Sequence, residues 1–174
     1  HDQLRPGDFI ALQPGQLMFG NKRKIDFQYQ AHKNDQSSKT VNIEELDEEF
    51  AYILGLLVGD GCLTVKNRVL LATVDESSIT AFYNFAERIN LHVFPNGEKN
   101  FVIASSQFYR LLLHLGLSNG KAETKCVPKA ILTAPQKEIS AFLSGLFDAD
   151  GTVEKRDGNI VLSSISEKLI SQVQ

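Results

Sequence analysis

Two stretches decide how this sequence is interpreted: "AYILGLLVGDG" (residues 51–61) and "AFLSGLFDADG" (residues 141–151). Both are apolar, both repeat a small residue every four positions, and both end in Asp-Gly. Positions four apart share one face of an α-helix, so each stretch predicts a helix with one face that carries almost no side chain. Glycine within a helix costs about 1 kcal/mol relative to alanine, and close packing of two backbones would offset that cost. The pattern therefore predicts two helices packed side by side through Ala51, Gly55, Gly59, Ala141, Gly145 and Ala149.

The segments that follow the two helices also repeat. The first helix is followed by two short strand patterns, an amphipathic helix, a hairpin around Asn-Gly at 96–97 and another helix, in the order αββαββα. After the second helix the series begins again, and "RVLLATVDESSI" (68–79) matches "NIVLSSISEKLI" (159–170). The sequence is therefore an internal duplication. When the two Asp-Gly pairs are aligned, Gln174 stands opposite Asn84, so the second copy lacks its hairpin and closing helix.

Composition sets broad limits on the class of protein. Of the 174 residues, 43% are hydrophobic and 22% are charged, as in ordinary globular proteins. No apolar run approaches the ~20 residues that cross a bilayer, and the first residues lack a signal-peptide pattern, so no membrane association is expected. Cys62 and Cys126 have no Cys or His at metal-ligand spacing, which favours a reducing, intracellular (cytoplasmic) setting. The net charge of −3 neither supports nor excludes DNA binding, because acids cluster at 44–49 and bases at 22–39.

The two aspartates at the predicted helix ends, Asp60 and Asp150, predict a metal site. A helix C-terminus already carries partial negative charge, and two carboxylates brought together repel each other. A divalent cation relieves both effects, and hard carboxylate oxygens with open water positions suit Mg²⁺. Such a site can activate water for phosphodiester hydrolysis. The alternative is that Asp-Gly is an ordinary turn, which two matching copies make the weaker interpretation.

"LGLLVGDG" (54–61) and "LSGLFDADG" (143–151) resemble the two signature helices of the LAGLIDADG homing endonucleases. The first copy departs from the signature at Val58 and Gly59, but it keeps the terminal Asp-Gly. The resemblance covers roughly residues 50–174 and implies an α+β fold with a duplicated αββαββα unit, whose saddle-shaped sheet lies on double-stranded DNA. It also implies that Asp60 and Asp150 are catalytic residues that bind the divalent metals, whereas Asp148 is expected to have a capping or structural role.

Two further segments resemble parts of inteins. "TKCVPKAIL" (124–132) is similar to the Lys-x-x-Pro element ahead of the second signature helix in intein endonucleases, which implies a catalytic role for Lys125. Its ammonium would stabilise charge on the scissile phosphate, and the alternative is an exposed lysine before a turn. "LRPGDFIAL" (4–12), with a strand predicted from Phe9 to Leu12, resembles a strand of intein splicing domains. The sequence has no N-terminal Cys or Ser, no Thr-x-x-His and no terminal His-Asn, so self-splicing is not expected.

The domain prediction has four parts. Residues 1–15 are the end of an intein splicing-domain (Hint) segment, and 16–49 are a linker or a DNA-contacting arm. Residues 50–120 are the first LAGLIDADG repeat, and 121–174 are the connection and the first part of the second repeat. The acidic run at 44–49 predicts that the first helix begins near Asn42.

Strand alternation predicts which residues contact DNA. Val65 and Val69 are expected to face the helices, so the residues alternating with them face the DNA. Basic and amide side chains can bind base edges or phosphates, although an exposed polar sheet face would show the same pattern. The candidate DNA-binding residues are Thr64, Lys66, Arg68, Lys155, Arg156, Asn159 and Ser163.

The sequence thus predicts an intein-encoded homing endonuclease that hydrolyses phosphodiester bonds in a long double-stranded DNA target with Mg²⁺ or another divalent cation. One alternative is a relative that binds DNA or RNA without cutting it. Another is a fragment of a protein-splicing intein whose endonuclease is inactive. The expected partners are double-stranded DNA and either a second polypeptide or a missing C-terminal segment that completes the second repeat. The second catalytic lysine is expected beyond Gln174, so cleavage of both strands by this chain alone is left open.

Overall fold

The structure, a computed structural model, describes residues 19–31 and 41–174. The first repeat consists of α1 (Glu48–Gly59), β1 (Gly61–Cys62), β2 (Arg68–Ala72), α2 (Glu76–Arg88), β3 (Val93–Pro95), β4 (Asn100–Ala104) and α3 (Ser106–Leu115). A short 3-10 helix (Ala122–Thr124) and α4 (Lys129–Leu132) lead to α5 (Gln136–Asp150), β5 (Gly151–Val153), β6 (Ile160–Leu162) and α6 (Glu167–Val173). The α+β class and the αββαββα order of the first repeat are confirmed. The splicing-domain segment predicted at 1–15, with its strand, lies outside the described residues.

The helices α1 and α5 pack against each other through their small residues. A Cβ on Gly55 would overlap the carbonyl oxygen of Phe142, and a Cβ on Gly145 would overlap the carbonyl oxygen of Tyr52. Near the C-terminal ends, Gly59 contacts Ala149, so the two helices run in the same direction and end together. One turn before the two central glycines, Ala51 is fully buried and Ala141 is half-buried.

The N-terminus of α1 differs from the prediction. The helix begins at Glu48, because the Asp47 side chain accepts a hydrogen bond of 2.8 Å from the backbone N–H of Phe50 and caps the first turn. The start near Asn42 is wrong, since residues 44–46 instead hydrogen-bond to the backbone of residues 23–25. Burial opposes ionisation of Asp47, but hydrogen bonds from Arg88 and Phe50 outweigh it and lower the pKa of this carboxyl.

Strands β1–β4 form one antiparallel sheet in the order β1-β2-β4-β3. Val69 and Ile103 pair across β2 and β4 and are both fully buried within the hydrophobic core, so this face of the sheet carries the core. The expectation that Val65 also faces the helices is wrong, because Val65 is 57% exposed. Strand β1 ends at Cys62, and the turn before β2 contains Asn67 with a positive φ of 63°, which breaks the alternation.

The described part of the second repeat leaves one face of its hairpin uncovered. Strands β5 and β6 pair Val153 with Ile160. Their counterparts in the first repeat, Leu63 and Val69, are 3% and 0% exposed, whereas Val153 and Ile160 are 62% and 68% exposed. In the first repeat α3 packs on β2, whereas among the described residues of the second repeat only α6 follows the hairpin.

Residues 19–31 pack on the rest of the molecule. The backbone N–H of Lys22 donates to the Thr133 carbonyl at 3.1 Å, and Arg23 donates to the buried Glu138 of α5 at 2.6 Å. Farther along, the ring of Phe27 lies 5.3 Å from that of His114 on α3. These contacts tie the described part of the predicted linker or arm to α3, α4 and α5. None of the helices in the described ranges is both long and apolar enough to cross a membrane.

Candidate metal centre

The ends of α1 and α5 bring two carboxylates to one place. Asp60 is the C-cap of α1, and its backbone N–H donates to the Leu56 carbonyl at 2.8 Å. Asp150 is the last residue of α5, and its Oδ2 atom lies 3.5 Å from where a Cβ on Gly59 would stand. The close approach of the two backbones therefore carries Asp150 to the end of α1, beside Asp60.

Lys125 reaches the same place from the connection between the repeats. Its Nζ atom donates to the Gly59 carbonyl oxygen and lies 3.7 Å from Oδ2 of Asp150. Its carbonyl accepts a hydrogen bond of 2.6 Å from the hydroxyl of Ser166, the N-cap of α6. The lysine is thus held by its side chain to the first repeat and by its backbone to the second.

The electrostatics of the site favour a bound cation. Burial raises the pKa of Asp60 above its usual range, and the carboxylate of Asp150 raises it further. The ammonium of Lys125 acts in the opposite direction and does not restore the usual pKa. Two negative charges therefore face each other with one lysine to offset them, and a divalent cation would supply the missing positive charge.

The donor set fits Mg²⁺. The two aspartates offer hard oxygen ligands, and Mg²⁺ is commonly held by one or two carboxylates while waters and substrate phosphates complete its coordination. Within residues 19–31 and 41–174, no cluster of three or more His, Cys, Asp or Glu side chains could hold a metal. An open site that shares its ion with a phosphate therefore fits these residues better than a closed structural site.

A cavity of about 320 Å³ opens beside the carboxylate of Asp60. The cavity is lined by Lys125 and by three residues to which the sequence analysis assigned no function, namely Lys121, Cys62 and Cys126. Cys62, two positions after Asp60, and Cys126, directly after Lys125, could have been placed here from their positions in the sequence. The Cys62 Sγ atom lies 3.1 Å from the hydroxyl of Thr64, which also lines the cavity.

Asp148 lies in the contact between the two helices. The hydroxyl of Tyr52 on α1 donates to Oδ2 of Asp148 at 2.8 Å. Burial raises the pKa of Tyr52 to about 12, with a further contribution from this hydrogen bond. The contact links a residue in the first half of α1 to a residue two positions before the end of α5, and the structural role of Asp148 stays a prediction.

The candidate DNA-binding residues are all exposed and lie in or beside the strands that follow the two aspartates. Arg68 begins β2 on the face opposite the core, next to the turn that carries two more of them. The others occupy the β5–β6 connection and the end of β6. The full set is Thr64, Lys66, Arg68, Lys155, Arg156, Asn159 and Ser163.

The raised pKa of Asp60 predicts how stability depends on pH without metal. The pKa of this carboxyl is higher in the folded protein than in the unfolded protein, where it is about 4. The carboxyl therefore contributes its full stabilisation at pH values below about 4, and this stabilisation is lost as the pH rises through the pKa of the folded state. We therefore expect Asp60→Asn to raise the melting temperature in EDTA at pH 7, by about 3 °C at most because solvent screens this partly exposed carboxyl. Thermal unfolding from pH 4 to 8 measures this difference.

The same experiment in Mg²⁺ is the control. Saturating Mg²⁺ should stabilise the unchanged protein, because an ion that binds only the folded state adds its binding free energy to stability. The Asp60→Asn variant should gain much less. Identical pH profiles for the two proteins, with identical responses to Mg²⁺, would contradict the paired-carboxylate site.

Comparison with known proteins gives both a family match and a fold match. Residues 137–174 match the family model of the LAGLIDADG-like domain. The structure is similar to that of I-DmoI in complex with DNA and Mn, with a TM-score of 0.51 and 18% sequence identity, over 72% of this chain and 73% of that one. It is also similar to I-DmoI in complex with DNA and Ca, with a TM-score of 0.50 and 19% identity, over 72% of this chain and 68% of that one.

The curated relatives are much longer proteins. The sequence is 28% identical over 135 residues to the replication factor C small subunit of Methanocaldococcus jannaschii, covering 74% of this chain and 7% of the relative. It is 26% identical over 144 residues to elongation factor 2 of Methanopyrus kandleri, covering 81% of this chain and 11% of the relative. This chain therefore has the fold of the homing endonuclease I-DmoI, and its residues 137–174 match the LAGLIDADG-like domain model.

Proposed function

We propose that this chain is the endonuclease region of an intein and that it hydrolyses phosphodiester bonds in a double-stranded DNA target with Mg²⁺. The observation that carries this proposal is the convergence of Asp60, Asp150 and Lys125 at the joined ends of α1 and α5. The fold supports it, since I-DmoI is described as a homing endonuclease and has been seen with DNA and with Mn or Ca.

The residues have distinct roles in the proposed reaction. The two aspartates would hold the ion, and a divalent cation bound there would acidify a water and stabilise the departing oxygen. Lys125 keeps its ammonium within 3.7 Å of Asp150, where it offsets charge on the scissile phosphate. The oxygen of a water forms a bond to phosphorus, one P–O ester bond breaks, and the products are a phosphate monoester and a free sugar hydroxyl.

The intein context is supported by the identity of the relatives. By name, a replication factor and a translation elongation factor have unrelated functions, yet each contains one segment similar to this chain. The match spans only 7% and 11% of these proteins. A short segment shared by proteins with otherwise unrelated functions is expected of an inserted element.

The second repeat requires completion in the proposed enzyme. Val153 and Ile160 occupy positions that are buried in the first repeat and are 62% and 68% exposed here. Covering these two side chains would remove apolar surface from water, which stabilises the protein by about 25 cal/mol for each Å² buried. Either a further C-terminal segment or a second polypeptide would supply that cover and the second catalytic lysine.

Cleavage of a randomised duplex DNA library tests the proposed activity. The protein is incubated with the library in Mg²⁺ or in EDTA, and new ends are captured by adaptor ligation and sequenced. We expect ends at one recurrent sequence in Mg²⁺ and none in EDTA. Specific binding without new ends in Mg²⁺ would contradict the nuclease and favour the relative that binds without cutting.

Lys125→Ala tests the role of the lysine. Removing its ammonium should slow cleavage of one DNA strand by about 100-fold, the range seen when a charge-stabilising group is lost, and should weaken binding much less. Strand-specific labels on a selected duplex give the two rates, and a gel-shift assay gives the affinity. The matched control is Lys129→Ala, which makes the same change at an exposed lysine on α4. Equal losses of cleavage and binding would contradict a catalytic role.

A further inference from the structure

The sheet face opposite the core of the first repeat carries a continuous row of apolar side chains. Side chains alternate between the two faces of a strand, and Val69 and Ile103 are buried on the core face. Their neighbours therefore point to the opposite face, where the strand register aligns one residue from each of the four strands. We call this set the apolar row; it consists of Cys62, Leu70, Val102 and Phe94.

The face contains few groups that could hydrogen-bond to bases. Beside the row, Arg68 pairs with Ala104 and Ala72 pairs with Asn100. Among the residues of β1–β4 on this face, the guanidinium and the amide are the only strong hydrogen-bonding side chains. Phe94 at the edge of the row is 55% exposed, Cys62 and Leu70 are half-buried and Val102 is 9% exposed, so the apolar surface available to a ligand lies mainly at Phe94 and decreases towards the middle of the row.

The row is continuous with the candidate metal centre. Cys62 stands two residues after Asp60, and both line the cavity beside the carboxylates. Three inter-strand spacings make the row about 14 Å long. The major groove of B-DNA is about 12 Å wide, so a row of this length matches the width of the groove.

We propose that the apolar row contacts the C5-methyl groups of thymines in the half of the DNA target bound by the first repeat. The methyl group of thymine is the apolar feature of the major-groove edge, and apolar side chains recognise it by contact. This inference rests on the proposed function and specifies its substrate. In the second repeat, the described residues include counterparts of Cys62 and Leu70, which are Thr152 and Val161, but no counterparts of Val102 and Phe94, so the inference is made for the half of the target bound by the first repeat.

Paired DNA libraries test the inference. The protein is incubated in EDTA, which prevents cleavage, with one randomised duplex library made with thymine and another made with deoxyuridine. Deoxyuridine keeps every hydrogen-bonding group of thymine and lacks only the methyl. We expect thymines to be enriched in one half of the selected site, and each thymine replaced by uracil there should weaken binding about fourfold.

Two variants and a control connect the effect to the row. Phe94→Ser and Leu70→Ser should reduce the affinity ratio between thymine and uracil duplexes towards one, while circular dichroism confirms that the variants fold. Val74→Ser changes a residue that is 69% exposed outside the row, and it should leave the ratio unchanged.

Each contrary outcome has its own meaning. Absence of binding to both libraries would overturn the proposed function, and the inference with it. Sequence-specific binding with equal affinity for thymine and uracil would overturn the inference alone. A third outcome is that the protein self-associates in sedimentation experiments and that Phe94→Ser abolishes this self-association without changing the preference for thymine. The row would then be a protein interface, and the inference would again be overturned.

Discussion

Asp60→Asn and Asp150→Asn should each slow DNA cleavage by about 1,000-fold or more, equivalent to about 4 kcal/mol of activation free energy. The amide keeps the size of the side chain but removes the charge and one oxygen ligand from a site with only two carboxylates. DNA binding should persist, because the exposed residues proposed to contact DNA are unchanged. Single-turnover cleavage of a selected duplex measures the first effect, and a gel-shift assay measures the second.

Asp148→Asn is the matched control for both variants. It makes the same chemical change on α5, two residues before Asp150, at a side chain that accepts from Tyr52 rather than one at the helix ends. Cleavage by this variant should fall by much less than in the other two. Unchanged cutting by Asp60→Asn would exclude that carboxylate from the metal site. If Asp148→Asn lost as much cleavage activity as Asp60→Asn and Asp150→Asn, the loss would be explained by altered packing of α1 against α5 rather than by loss of a metal ligand.

Gly145→Ala and Gly55→Ala should each lower the free energy of unfolding by about 3 kcal/mol, at the upper end of the usual cost of overpacking. Alanine is favoured over glycine in a helix by about 1 kcal/mol, so the loss would occur against intrinsic propensity. In both variants the new methyl would overlap a backbone carbonyl of the facing helix, and a backbone cannot rotate away as a side chain can. Urea denaturation measures the change.

Ser144→Ala is the control for the helix contact. Ser144 precedes Gly145 on α5 and is exposed, so its variant should lie within about 0.5 kcal/mol of the unchanged protein. Because the glycine contact also sets the separation of the two aspartates, Gly145→Ala should lose cleavage at temperatures where it remains folded. A glycine variant as stable and as active as the unchanged protein would contradict the close helix contact.

The helix pair could be predicted because its signal is local. Small residues four positions apart define one helix face wherever that helix lies, and the duplication indicated that a second helix of the same kind would meet it. The short strands after each aspartate were predicted for the same reason. Lys125 is different, since nothing in its own surroundings distinguishes it from an exposed lysine. Its assignment came from a resemblance, and the structure brings it to the carboxylates.

Features that depend on distant contacts could not be predicted. Arg23 and Glu138 are 115 positions apart, and no local pattern pairs them. The first helix was expected to start near Asn42 because acids favour a first turn, but hydrogen bonds from residues 44–46 to residues 23–25 hold that segment outside the helix. The apolar row requires the pairing of Leu70 with Val102, and a shift of one residue would turn either side chain to the other face.

The two attachments of Lys125 have a consequence for protein synthesis. A nascent polypeptide acquires both carboxylates once residue 150 has been made, yet the hydroxyl that holds the lysine backbone arrives only with Ser166. On the proposed function, a truncated translation product would carry the acidic pair beside a poorly positioned ammonium. Such a product would therefore be a weaker nuclease than a chain that includes Ser166.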